Sequence, residues 1–233
     1  MIPGIRTDRT GDRSGLLKRL WEHHLPLAIA SAVLLVLFVA GIDSASLAYR
    51  WSMATAYVSM GWLVVTLMIG PFNVWRGRRN PFSTDLRRDV AIWAGLIALL
   101  HTGVGLQVHM GSMLKYFFRA LDGPDAWKLR GDLFGFANYT GMVAALLVLF
   151  LLAISNDWSV RLLRGSRWKS LQRLTYVMVL LTIFHGIAYQ VLEKRAVAFV
   201  WALGLLLAIL LLTQAVGMVA FRRRKSDSHG KAA

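Results

Sequence analysis

Cysteine is absent from the 233 residues. That excludes disulfides, iron–sulfur clusters ligated by this chain, thiolate as a metal ligand and a catalytic thiol. Acidic residues are scarce: 12 Asp and Glu stand against 27 Lys and Arg. None lies within a long apolar run, since Asp43, Asp89 and Glu193 all fall at run ends. A proton-coupled transporter or pump usually needs an acid inside the bilayer, so that class is disfavoured. Paired Gly/Pro-broken helices of the transporter type are missing too. So are a paired acid and base, a Ser/His/Asp arrangement, a phosphate-binding glycine loop, zinc-ligand spacing, internal repeats and low-complexity tracts.

What the chain has is apolar length. Hydrophobic residues make up 56% and the mean hydropathy is +0.51, beyond what a soluble domain of this size carries. The expected fold class is all-α: a polytopic membrane protein with a six-transmembrane-helix bundle. Crossings are expected at 25–42, 51–70, 89–110, 138–155, 171–191 and 196–221, with Pro71 stopping the second. A basic amphipathic segment, 1–24, precedes the bundle at 25–221, and a basic tail, 222–233, follows it. Little chain lies outside the runs, so no fused nucleotide- or flavin-binding domain is expected.

The formal charge of +15 has two readings, nucleic-acid binding and membrane topology. The cations cluster in the gaps between apolar runs, which favours topology and no nucleic-acid partner. Placing the N-terminal segment, the second and fourth loops and the tail in the cytoplasm puts 20 of the 27 Lys and Arg there. Both termini are therefore expected to be cytoplasmic.

Leu16, Leu17, Leu20 and Trp21 give the N-terminal segment an apolar side that suits a membrane surface. His23 and His24 at its end are expected to be a solvated interfacial pair. The first apolar run is long for a signal peptide despite the small residues Ser44, Ala45 and Ser46, so an uncleaved anchor is expected. Residues 111–137 mix charges with Tyr116, Phe117, Phe118, Trp127, Phe134 and Phe136, the composition of an interfacial helix or lid at the bilayer edge.

Two histidines break the apolar pattern. His101 lies 12 residues beyond Asp89, and His185 lies 14 beyond Leu171. Both helices would run outward from the cytoplasmic face, so the imidazoles sit at depths of roughly 18 and 21 Å. Two intramembrane His at one level, on neighbouring helices of one direction, suit the axial pair of a single haem. The bland alternative is that each His bonds across helices to a hydroxyl or carbonyl, with no cofactor. Gly103, Gly105 and Gly186 nearby suit a flat macrocycle and ordinary helix packing alike. His109, eight residues beyond His101, is too far along to share the same iron. It is a candidate for a haem propionate, as are Gln107, Gln190, Lys194 and Arg195. Met110, Met113, Met142 and Met178 are expected to be packing residues.

Two stretches, LRRDVAIWAGLIALLH (86–101) and LLAISNDWSVRLLRGSRWKSLQRLTYVMVLLTIFH (151–185), resemble the ferric-reductase-like transmembrane domain. That family includes the haem-binding membrane subunit of the bacterial methionine-sulfoxide reductase system and the membrane parts of ferric reductases and NADPH oxidases. The resemblance covers about 51–195. It lies in the order of features: Arg-Arg before the third helix, His late in it, a Ser-ended fourth helix, a basic loop, then Trp, Leu, Tyr and His on the fifth.

The resemblance implies two stacked haems, with two His thirteen residues apart on the fifth helix. The outer one matches His185; the inner position falls on Gln172. On the third helix His101 matches the outer ligand, and the inner position falls on Arg87 or Arg88. One haem b is therefore implied, with a second only if its ligation is altered. FMN or a quinone at the basic loops would bridge the remaining distance to the cytoplasmic face. The implied function is one-electron transfer in a bacterial inner membrane. The donor would be a separate cytoplasmic flavin reductase or a quinol, and the acceptor a periplasmic or membrane protein, with membrane lipid as the surrounding partner. The alternative is a non-redox scaffold or accessory subunit that kept the fold and lost the haem.

Overall fold

The computed structural model describes residues 15, 17–77, 85–109, 112–120 and 127–230, the last seven by backbone only. Arg6, Arg9, Arg13, Leu16, Asn80 and Pro81, Met110 and residues 121–126 of the expected interfacial segment lie outside the described residues. The chain is mostly helical. Five helices are long and apolar enough to cross a membrane: Leu17–Gly41, Leu47–Trp75, Leu133–Ala153, Ser166–Leu192 and Val197–Arg223. The third expected crossing forms a 21-residue helix, Asp85–Gly105. It is not one of those five; its first turns carry Asp85, Arg87, Arg88 and Asp89.

In chain order, α1 is Leu25–Gly41 and α2 is Leu47–Trp75. The third helix, α3, is Asp85–Gly105, and α4 is the single turn Leu114–Phe117. A two-stranded antiparallel ribbon follows, β1 (Phe118–Ala120) with β2 (Trp127–Leu129), pairing Phe118 with Leu129 and Ala120 with Trp127. Then come α5 (Leu133–Ala153), α6 (Asp157–Leu162), α7 (Arg164–Gln172), α8 (Leu174–Leu192) and α9 (Val197–Gly230). The ribbon departs from the all-helical expectation. Residues 118–120 and 127–129 satisfy backbone groups by pairing with each other.

Helix α2 is the central rod and packs against α1, α3 and α9, while α5 packs against α3 and α8. Its N-terminus is capped by Ser46, whose hydroxyl accepts from the Tyr49 N–H at 3.2 Å. Pro71 does not stop α2, contrary to the sequence expectation; the helix continues to Trp75. A proline inside a helix leaves the carbonyl four residues back without its donor. That carbonyl, on Leu67, accepts from Gln214 Nε2 of α9 at 2.8 Å. One turn further along α9 is Gly217, where a Cβ would lie 2.6 Å from the Pro71 Cβ. Gln214 and Gly217 together let α9 press against the proline.

The start of α1 also differs from expectation. The amphipathic stretch is not a separate surface helix, because 17–41 forms one continuous helix. It contains a π turn, Leu20–His24, closed by the Leu25 N–H to the Leu20 carbonyl. The widened turn brings successive residues onto one neighbour. His23 Nδ1 lies 2.7 Å from Asp89 Oδ2 and His24 Nε2 lies 3.4 Å from Asp89 Oδ1. Arg19 clasps the same carboxylate through Nε, at 2.9 and 3.0 Å, and through Nη2. His24 Nδ1 in turn accepts from Trp93 Nε1 at 3.3 Å. The two histidines are thus partners of a fully buried Asp89, not a solvated pair.

Helix α5 begins at Leu133, five residues before the expected crossing, because Asp132 caps it. The Asp132 carboxylate accepts from the Gly135 N–H at 2.8 Å and from Arg130 Nη2 at 2.8 Å. The Arg130 guanidinium, then the Gly135 N–H, hold this carboxyl below the usual carboxylate range. A group with a lowered folded pKa stabilises the fold above its ordinary pKa and loses that contribution as pH falls through the lowered one. Asp132→Ala is expected to cost about 1 kcal/mol, as typical for a lost cap. Thermal unfolding in detergent should show this deficit at neutral pH and a smaller one in acid below the ordinary carboxylate range.

Candidate functional site: a cavity between two imidazoles

A cavity of about 190 Å³ opens among α2, α3, α5 and α8. His101 of α3 and His185 of α8 both line it. Their ring centres are 6.2 Å apart and their planes lie at 75°. The structure therefore brings together the two residues that the depth comparison singled out.

Each ring is held in the same way. His101 Nδ1 lies 2.9 Å from the Ser52 carbonyl oxygen, and His185 Nδ1 lies 2.8 Å from that of Ala137. A carbonyl oxygen only accepts, so both Nδ1 atoms carry a hydrogen, and in the uncharged form of each ring Nε2 is then the nitrogen with the lone pair. A carbonyl bonded to one ring nitrogen fixes the tautomer and orientation of an imidazole whose other nitrogen ligates a metal.

Small residues make the approach possible. A Cβ on Gly141 of α5 would sit 2.5 Å from His185 Nδ1 and 2.7 Å from its Cε1. Only glycine leaves space for the ring to reach the Ala137 carbonyl one turn back. Gly105 is less crowded: a Cβ there would meet Ser52 Oγ at 3.6 Å and His101 Cε1 at 3.8 Å.

Aromatic and polar side chains close one end of the cavity. The Tyr189 ring lies 5.0 Å from that of His185, 6.2 Å from Phe134 and 6.2 Å from His109, on which it stacks. The Tyr189 hydroxyl donates to Asn138 Oδ1 at 2.9 Å. His109 Nε2 is 3.1 Å from Glu193 Oε1, and the His109 N–H donates to the Tyr116 hydroxyl at 2.9 Å. Tyr116, almost wholly buried, passes its own hydrogen to the Gly105 carbonyl at 3.0 Å. On the α2 side, the Tyr57 hydroxyl donates to the Phe199 carbonyl at 2.8 Å and accepts from Gln190 Nε2 at 3.0 Å.

The other sequence candidates divide. Gly105 and His109 line the cavity with the imidazole pair, as do Gln190, Arg195 and Met142. Gln107 does not: it is exposed and bonds back to the Gly103 carbonyl at 3.0 Å. Gln172 ends α7 away from the cavity wall, its Nε2 buried without a partner. Met178 packs in an apolar cluster with Ala144, Val148 and Leu151, and Met113 is exposed. Sequence reasoning did not single out Gly141, Tyr57, Tyr189 or Asn138. A glycine or tyrosine in an apolar run gives no sign of which ring or carbonyl it will meet.

Fold and cavity define a class: a mostly helical, multi-pass membrane protein with two imidazoles lining one internal space. No protein-family model matches the chain, and no curated protein matches it. Among the described residues no group of three or more His, Asp or Glu gathers to hold a metal ion by itself.

Proposed function

We propose that the chain is a membrane b-type cytochrome in which His101 and His185 hold one haem between them. The observation that carries this reading is the imidazole pair, with both Nδ1 hydrogens given to backbone carbonyls and both Nε2 atoms left to ligate. A metal bound by imidazole nitrogens lies about 2.0–2.1 Å from each. The 6.2 Å between the two ring centres would let His101 and His185 each give a nitrogen to a single metal held between them. His101 and His185 alone would not complete a metal's coordination, so they would suit a group that brings further ligands of its own, as a porphyrin would. The donor set therefore fits a haem better than a bare ion.

A bound haem supplies reversible one-electron chemistry. The chain contributes orientation through the Ser52 and Ala137 carbonyls, an apolar setting, and aromatic cover from Tyr189 and Phe134. Six crossings with both termini in the cytoplasm are part of the same proposal; the cation distribution and the sixth long helix, α3, support it. So is the ferric-reductase-like likeness. Electrons would come from a separate cytoplasmic flavin reductase or a quinol and leave to a periplasmic or membrane acceptor, in a bacterial inner membrane. The inner positions carry Gln172, Arg87 and Arg88 in place of histidine, which supports one haem per chain.

The absorption spectrum of protein purified from membranes tests the proposal. A Soret band with about one haem per chain, set by the two-ligand site, is the expected result. Protein without a Soret band after expression with ample haem contradicts the reading and leaves the scaffold alternative.

A further inference from the structure

We propose that Arg195 is the anchor for a propionate carboxylate of the porphyrin, so that the cavity selects a tetrapyrrole by its acidic edge as well as by its metal. The inference rests on the haem reading above and adds to it a binding group and an orientation.

Arg195 lines the cavity. It makes no ion pair among the described residues, and its Nε is buried without a hydrogen-bond partner. A guanidinium keeps its charge under all relevant conditions, so a buried one needs an anion or other acceptors. The carboxylate closest in sequence, Glu193, is committed to His109 at 3.1 Å. The rings of Tyr49 and Tyr189 flank the guanidinium at 5.7 and 5.9 Å. Cation–π contacts hold it in place and leave its N–H donors free.

The backbone directs it inward. Lys194 adopts φ 44°, a left-handed conformation uncommon for a non-glycine residue. Such local strain persists where the surroundings require the geometry. Here it turns the chain sharply between α8 and α9, with the Arg195 N–H reaching the Gln190 carbonyl at 3.4 Å. The Gln190 amide shares the space: Nε2 is bonded to Tyr57, and Oε1 is buried without a partner. The Tyr189 ring, 5.0 Å from the His185 ring, connects the cation to the imidazole pair.

A ligand entering between the two imidazoles and offering a carboxylate towards Tyr49 and Tyr189 would give Arg195 the anion it lacks. Charge-assisted, bidentate contact with a carboxylate is the geometry a guanidinium favours. Haem b carries its two propionates along one edge, so one orientation of the ring is selected.

The test uses full-length protein, produced without haem and titrated in detergent with iron protoporphyrin IX and with its dimethyl ester, following the Soret band. The wild type should bind the diacid at least about tenfold more tightly than the diester, the scale of one charge-assisted contact. Arg195→Gln should remove that preference by weakening diacid binding alone, and Arg195→Lys should restore part of it. Equal affinity of the wild type for both porphyrins overturns this inference and leaves the haem site standing. Binding of neither overturns both. A preference for the diacid that survives in Arg195→Gln assigns the carboxylate to another group and also overturns it.

Discussion

Gly141→Ala is expected to abolish the haem binding proposed for this cavity while leaving the helices in place. The added methyl would lie 2.5 Å from His185 Nδ1 and 2.7 Å from Cε1, well inside van der Waals contact. The imidazole is rigid and cannot fold its end away. It must slide off the Ala137 carbonyl and lose the 2.8 Å bond that fixes its tautomer. Overpacking of this kind costs about 1–3 kcal/mol of stability, which a helical bundle of this size should survive. Disturbing the groups that orient a metal ligand lowers affinity by roughly 10–100-fold, and a displaced ligand should do at least as much. Gly204→Ala is the control. It is not part of the cavity lining and its methyl would meet nothing within 4 Å, so haem content should stay at the wild-type level. Pigment content per chain after purification, together with helical content by circular dichroism, separates a lost ligand from a lost fold.

Asp89→Ala should have the largest effect on stability, about 2–4 kcal/mol. Breaking a buried ion pair from one side costs about 3–5 kcal/mol because a charge is left uncompensated. The value here is lower because Arg19 is a quarter exposed and can recover some water. The Asp89 side chain is completely buried and receives Arg19, His23 and His24 together, so a single substitution takes one acceptor away from three part-buried donors. The contact joins residues 70 apart in sequence and fastens the N-terminal helix to α3. Thermal unfolding in detergent should register the loss, and proteolysis should open the segment before α1 first. Asp89→Asn should fall in between, since the amide keeps an acceptor oxygen and gives up the charge. The cavity is lined by other residues, so surviving Asp89→Ala protein should still take up haem.

The helices and the imidazole pair were legible in the sequence for one reason: apolar runs tolerate few polar residues. Two histidines at matched depth therefore stand out, and residue spacing along a helix converts directly into height. The compensations were not legible. Pro71 reads as a stop, and only the arrival of Gln214 at the Leu67 carbonyl shows why the helix survives it. Asp89, His23 and His24 read as separate end-of-helix residues. Their meeting depends on a π turn that no local pattern announced. Gly141 has the same difficulty, since its role belongs to a ring on another helix. The paired strands 118–120 and 127–129 lay in a stretch whose mixed charges and aromatics fitted an interfacial helix equally well. Pairwise tertiary contacts of this kind carry no periodic signal.

The central claim, that one metal takes a nitrogen from each of two facing helices, is most directly tested by removing the imidazoles one at a time. His101→Gly and His185→Gly should each abolish the spectrum of the two-imidazole haem to the same extent, and added free imidazole should restore it in both. A variant that keeps the wild-type spectrum without added imidazole would contradict the account, because the remaining ring would not be half of an axial pair.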